Sequence, residues 1–323
     1  MEQKLAQQAF DSTLEDLGNA IAGPWRGPRQ MLQAQTYDKH SSIHDDATAA
    51  KLGFKGAAIE GPTHFSQFAP LGAALWGKRW FEEGCLSAHY RNMVVEGEKV
   101  RAFMAKPADD PNLVAIWAQK EDGTEVLKGT ASVGSKHGPT ALEQRLATLP
   151  PLETPVILYD VKVGMKLKRH PVRMAIDQNM GALYPFSLRE KLAKITEPSP
   201  WYDPDRAEGS PFNRAVIPFE MISVLGYYSS QGDRLPSRGP AVGLFADQEI
   251  RLIKGPLFVG EPYEVEREVV ALSGSRRTES VWMRANFYAP GSNDVLATML
   301  LNSATLIDSY ARYAEDRAAL WPE

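Results

Sequence analysis

Apolar positions change period along the chain, and each change predicts a change of element. Behind Pro62, the residues Phe65, Phe68, Gly72, Leu75 and Trp76 recur at intervals of three and four. That spacing predicts a buried helix opening at the proline, whose missing N–H is not needed in a first helical turn. From Leu86 to Val95, Glu98 to Ala105, Asn112 to Lys120 and Thr124 to Val133, apolar and polar residues alternate instead. Alternation puts one face on a core and the other in solvent, so antiparallel strands are predicted, broken at Glu96-Gly97, at Asp109-Asp110-Pro111 and at Asp122-Gly123. Upstream, Ser12 and Glu15 have capping-box spacing before Leu17 and Ile21, which predicts a short opening helix; a strand is predicted from Gln30 to Tyr37.

The same order then returns. Residues 135–155, rich in small residues, Thr and Pro around a predicted helix from Leu142 to Leu149, read as a connection. Val156 to Leu167 predicts a strand, and Pro218 opens a second apolar helix carrying Phe219, Met221, Ile222, Leu225 and Tyr228. Alternating runs follow at Val242 to Ile253, Pro262 to Leu272, Thr278 to Tyr288 and Val295 to Leu306, with Gly260 ahead of the second as Gly97 is in the first half. Ser41 to Asp46 and Ser199 to Pro204 align without a gap, and the same register sets Phe54 over Phe212 and Ile59 over Ile217. The chain is therefore expected to be a duplication, with domains at 1–134 and 156–323 joined by 135–155.

Composition narrows the function classes. The 323 residues suffice for two cores, and 43% hydrophobic with 24% charged residues is an ordinary globular balance. A net charge of −4 gives no global field to attract nucleic acid or an anionic membrane, so neither partner is expected. The single Cys85 excludes an internal disulfide and a thiolate metal cluster. No apolar run is long enough to span a bilayer and the first ten residues are polar, so a cytoplasmic location is expected. His40 and His44 have a metal-like spacing, but no helical Glu accompanies them, and neither metal nor other cofactor is expected.

His44-Asp45-Asp46, then Gly53-Phe54-Lys55-Gly56-Ala57-Ala58-Ile59-Glu60-Gly61, is similar to the stretch that opens the active site of MaoC-like, (R)-specific enoyl-CoA hydratases. Tyr90 to Gly97 resembles the strand and turn behind that family's helix. The resemblance implies an α+β class protein with a double hot-dog fold, in which each half wraps a long helix in an antiparallel sheet. It implies chemistry on an acyl thioester, carried by coenzyme A or acyl carrier protein, with a second copy of the chain as a further candidate partner in a homodimer.

Residue by residue, the resemblance makes His44 the water-activating base and Gly61 the glycine whose N–H holds the thioester oxygen. The family's aspartate position carries Lys39, with Asp38 beside it, and Ser41 stands at its asparagine. Lys39 would serve as a cationic stabiliser, as a base of lowered pKa, or as a ligand for a carboxylate. In the second copy Tyr202 lies over His44 and Glu197 over Lys39, which is either a packing remnant or a carboxylate–phenol pair. Glu60 and His64, four apart at the helix entrance, are expected to support the pocket. Arg91, Lys78 and Arg79 are candidates to hold a carrier phosphate, and Asp45 and Asp46 are helix N-cap groups in the plainest reading.

These residues predict a hydratase or dehydratase with an altered catalytic pair. The alternatives are an isomerase, cyclase or other lyase on a bulky substrate, and a non-catalytic acyl-binding subunit. A thioesterase is disfavoured, because the first helix offers only Glu60 as a carboxylate, at its very start.

Overall fold

The computed structural model describes residues 2–36, 42–232 and 234–322. Within them an eleven-stranded sheet runs through both halves. Its N-terminal strands are β1 (Glu15–Asp16), β2 (Ala20–Ala22), β3 (Gly84–Tyr90), β4 (Val100–Ala105), β5 (Leu113–Lys120) and β6 (Glu125–Val133). The C-terminal ones are β7 (His170–Arg173), β8 (Gly243–Leu252), β9 (Pro262–Gly274), β10 (Thr278–Tyr288) and β11 (Val295–Leu306). The spatial order is β1-β2-β4-β5-β6-β3-β8-β11-β10-β9-β7, so the inner five strands of each half mirror each other about the β3–β8 seam. That seam is antiparallel, with Leu86 opposite Ile250 and Ala88 opposite Gln248, and it gives each half a partner for an otherwise open edge. This is the double hot-dog arrangement.

The internal register survives in the backbone. Ala58 N–H donates to Ile43 C=O at 3.1 Å and Val216 N–H donates to Trp201 C=O at 2.8 Å, which are corresponding bonds in the gap-free alignment. Ile59 N–H to Val94 C=O and Ile217 N–H to Leu257 C=O, both 2.8 Å, repeat the correspondence one residue on. Gly97 and Gly260 both turn with φ near 90°, at +94° and +82°, a region that glycine enters without steric cost.

The eight alternating runs predicted from Leu86 onward in the two halves are strands, and the connection carries α5 (Ala141–Ala147). The central helix is more broken than its periodicity predicts. Gly61–Phe68 is a 3₁₀ helix, Ala69–Trp76 an α-helix (α3) and Lys78–Glu83 another (α4). Pro70 has no N–H to give the preceding turn, so the winding restarts there. The second copy is the nine-residue α7 (Phe219–Tyr227). Rings from both halves close the space between the helices, with Trp80 stacked on Phe219 at 4.9 Å and Phe81 against Trp201 at 5.1 Å.

Three predicted elements take another form. In place of a helix at Ser12–Ile21 the chain has α1 (Glu2–Ala9) followed by the β1–β2 hairpin, with Gly18 at φ +84° in its turn. Ser12 caps nothing, because its hydroxyl donates to Glu197 across the molecule. Residues 30–36 form a loop, in which the Gln30 side chain receives the N–H groups of Met31 and Leu32, both at 2.9 Å; Tyr37 lies outside the described residues. Residues 156–167 are turns, buried at 156–158 and 161 and exposed at Val163, and only their end pairs with β9, through Gly164 N–H to Val269 C=O and Leu167 N–H to Arg267 C=O, both 2.8 Å. Val156, Ile157, Leu158 and Val161 pack under Val281 and Met283, and the Glu279 carboxylate takes the N–H groups of Val156 (2.8 Å) and Leu158 (2.9 Å) that a ladder would have used. Among the described residues no helix is long and apolar enough to cross a membrane.

Candidate functional site

A cavity of about 1010 Å³ opens beside the start of the central helix, lined by residues of both halves. His44, Glu60, Gly61, His64 and Arg91 of the expected set line it, with Tyr90 beside them, and Tyr184, Tyr227 and Phe245 come from the C-terminal half. Asp38, Lys39 and Ser41 lie outside the described residues.

His44 stands just before α2 (Asp46–Lys51). Asp45 caps that helix through Thr48 N–H at 2.8 Å, and Asp46 accepts from Ala57 N–H at 2.9 Å, so both acids brace the loop that presents His44. The imidazole Nδ1 lies 2.6 Å from Ala58 C=O. A carbonyl can only accept, so Nδ1 carries the hydrogen and the neutral ring keeps its lone pair on Nε2. Burial pushes the ring's pKa below its ordinary value, against a smaller upward pull from that carbonyl, so His44 is neutral at physiological pH. Gln30 Nε2 donates to the same carbonyl at 2.6 Å and clamps it from a second side.

Glu60 is two residues beyond that carbonyl and only 8% exposed. Burial pushes its carboxyl up to about 7; the Lys191 charge and a Tyr184 hydrogen bond pull it down, and the Glu220 charge pushes it up. A carboxylic acid that titrates near neutrality is suited to proton transfer in either direction. His64, one turn along, is buried as well, and burial followed by the charges of Lys191 and Lys120 pushes it down to about 4. It is neutral at physiological pH, and its Nδ1 has no hydrogen-bond partner among the described residues.

Gly61 packs face-on against Tyr90, where a Cβ would stand 2.6 Å from ring atom Cζ. The Tyr90 hydroxyl donates to Gln248 Oε1 at 2.9 Å, and Gln248 Nε2 donates to Ser223 Oγ at 2.8 Å, so this contact is tied into the other half. Gly61→Ala is expected to push Tyr90 off Gln248 and lower stability by about 1–3 kcal/mol, read as a lower Tm. A Tm equal to that of the native chain would mean that the ring yields freely.

The second-copy pair is not assembled as a dyad. Glu197 is buried and receives Arg26 Nε at 2.7 Å and Nη2 at 3.0 Å, together with the Ser12 hydroxyl, which ties the N-terminal segment to the C-terminal half. Tyr202 is buried with its ring edge-on to Phe10 at 6.1 Å, and burial followed by the Glu220 and Glu197 charges raises its hydroxyl far above the ordinary range. Neither residue lines the cavity. Arg91 pairs with Glu125 at 3.2 Å on the cavity wall. Lys78 and Arg79 are away from it on α4, bound to Glu82 at 2.8 Å and Glu83 at 3.3 Å. Arg145, Arg234 and Arg238 line the cavity instead.

Sequence reasoning passed over Lys191, Glu220 and Tyr184. Glu220 left a trace, as a lone carboxylate within the apolar run Phe219-Glu220-Met221-Ile222. Lys191 left none, because it sits in a short, charge-rich helix, α6 (Leu188–Leu192), that reads as a solvated surface.

No protein-family model matches the sequence, and no curated protein matches it. Solved structures do. A MaoC domain protein dehydratase from Chloroflexus aurantiacus J-10-fl is similar at 12% identity, with a TM-score of 0.54 over 92% of this chain and 95% of that one. A Mycobacterium tuberculosis protein described as essential for bacterial survival during infection, with a double hotdog fold, is similar at 10% identity, with a TM-score of 0.54 over 93% and 98%. At these identities the likeness is one of fold.

Proposed function

We propose that the chain is a hydro-lyase acting on an acyl thioester, with Glu60 and His44 as its acid–base pair. The observation that carries this reading is the buried Glu60, poised near neutrality on the wall of the cavity that also receives His44. The missing aspartate of the resemblance is thereby replaced from another position, the entrance of the central helix. Residues 1–134 carry the reacting groups, and 156–323 complete the cavity.

In the hydration direction, the oxygen of water bonds to the β-carbon of a trans-2-enoyl thioester while a base takes its proton. The double-bond electrons move toward the thioester carbonyl, and a proton returns to the α-carbon. Neutral His44, with Nε2 unprotonated, suits the first proton transfer, and Glu60, able to hold a proton at pH 7, suits the second. Gly61 N–H lies in the first helical turn, where an N–H has no intrahelical acceptor, and serves the thioester oxygen as charge develops. Dehydration of a 3-hydroxyacyl thioester uses the same groups in reverse.

The cavity volume is at the upper end of the roughly 300–1,000 Å³ usual for small-molecule sites, which favours a bulky acyl group. The test is a panel of straight short and branched or cyclic trans-2-enoyl-CoA substrates, followed by loss of the conjugated enoyl absorbance. Weak turnover of the short substrates and faster turnover of bulky ones is expected. Tight binding without turnover of any enoyl or 3-hydroxyacyl thioester would make the protein an acyl-binding module.

A further inference from the structure

Amid the aromatic packing between the central helices, a polar cluster joins the two halves. Lys191 Nζ of α6 donates to Thr63 Oγ1 at 3.2 Å and lies 2.9 Å from Glu220 Oε2, at the first turn of α7. Ser66 Oγ donates to Glu220 Oε1 at 2.7 Å. Lys191 and Glu220 are 4% and 2% exposed. A buried ion pair is a poor device for stability, since apolar residues of similar volume commonly hold a core as well or better. Its presence here calls for another reason, and its position supplies one. Thr63, the partner of Lys191, donates its N–H to Glu60 C=O at 3.1 Å, so the pair stands within one helical turn of Glu60.

Resting on the reading of Glu60 as an acid–base group, we propose that Lys191 and Glu220 are positioning residues through which the C-terminal half sets when Glu60 gains and loses its proton. Lys191 draws Glu60 toward the carboxylate, and Glu220 draws it toward the acid. The other titratable groups facing Glu60 are Tyr184 from the loop before α6, Tyr90 from β3, His64 from its own helix and His44 across the cavity; Lys120 of β5 acts on His64. His44 and His64 are neutral at pH 7 and burial raises the Tyr90 hydroxyl well above its ordinary value, which leaves Lys191 and Glu220 as the charges that act on Glu60. The degenerate copy is thus kept for a buried charge pair.

The experiment is the pH profile of kcat/KM on the best enoyl thioester for Lys191→Met, Lys191→Arg and Glu220→Gln in the full chain. Removing the positive charge should move the limb assigned to Glu60 to higher pH, and removing the negative charge should move it to lower pH, each by about one pH unit. Lys191→Arg, which keeps the charge, should leave the limb in place. A merely structural role would lower activity or Tm without opposite displacements. If Lys191→Met does not fold, the near-isosteric Glu220→Gln decides alone, because Lys191 then still has Glu60 to face. Limbs that remain at the native position while Glu60→Gln is inactive overturn the inference by itself; a fully active Glu60→Gln overturns the reading beneath it and the inference together.

Discussion

Glu60→Gln is expected to slow turnover by roughly a hundredfold to ten-thousandfold, the usual worth of a positioned acid–base group, and at the same time to make the protein more stable at alkaline pH. The amide is nearly the same size and still bonds Tyr184, so the cavity keeps its shape. The stability gain follows from where the proton resides. In the folded chain the carboxyl holds its proton up to about pH 7, whereas in the unfolded chain it ionises near 4.5. The folded state therefore binds the extra proton between those values, and native stability falls as pH rises through that window. Glutamine does not ionise, so the stability difference between variant and native chain should open above pH 4.5 and level off above pH 7, at no more than about 3 kcal/mol.

His64 contributes the opposite slope. It stays neutral in the fold down to about 4 against an ordinary 6.5, so its share of stability is complete above pH 6.5 and is lost as pH falls toward 4. In the native chain the two slopes oppose each other between about 4.5 and 6.5; in Glu60→Gln only the His64 slope remains. Tm measured across pH 4 to 8 for both proteins separates them. A Tm difference that does not change with pH would show that Glu60 carries no raised proton affinity, and an unimpaired rate would remove it from the chemistry.

His44→Ala should cost on the order of a hundredfold or more in turnover with little change in Tm. The ring is half-buried, and its one described hydrogen bond is to Ala58 C=O. That carbonyl still receives Gln30 Nε2 when the ring is gone, so no buried acceptor is left empty and the structural penalty should stay within about 1 kcal/mol. Thioester binding should survive, because an Ala at position 44 removes only the reacting ring from the cavity wall. Single-turnover kinetics beside a binding isotherm make the distinction: lost chemistry with retained affinity is the expected result. Unchanged turnover would mean that His44 only supports the loop ahead of α2.

The sequence by itself determined the elements whose residues meet the core on a regular period. The alternation from Leu86 to Val133 and from Val242 to Leu306 returned as strands β3–β6 and β8–β11, because a strand with one buried face has little choice of register. The repeat was legible for a related reason: Ile43/Trp201 and Ala58/Val216 make the same backbone bond, and conserving that bond conserves spacing. Irregular segments were not legible. Val156 to Leu158 are apolar because they are buried, yet Glu279, more than a hundred residues away, takes the N–H groups of Val156 and Leu158, so only Gly164 to Leu167 at the far end of the predicted strand pair with β9. The site divided in the same way. His44 and Gly61 could be picked out by resemblance and Glu60 and His64 by their place at a helix entrance, but the protonation of His44, Glu60 and His64 could not, since it depends on burial and on charges distant in sequence. Glu60 is raised chiefly by burial, with the Lys191 and Glu220 charges of the other half acting on it in opposite directions, and Glu197 is held by Arg26 from the N-terminal segment. Local pattern records which face of an element is apolar; which charge a buried group meets there is decided only when the two halves close on each other.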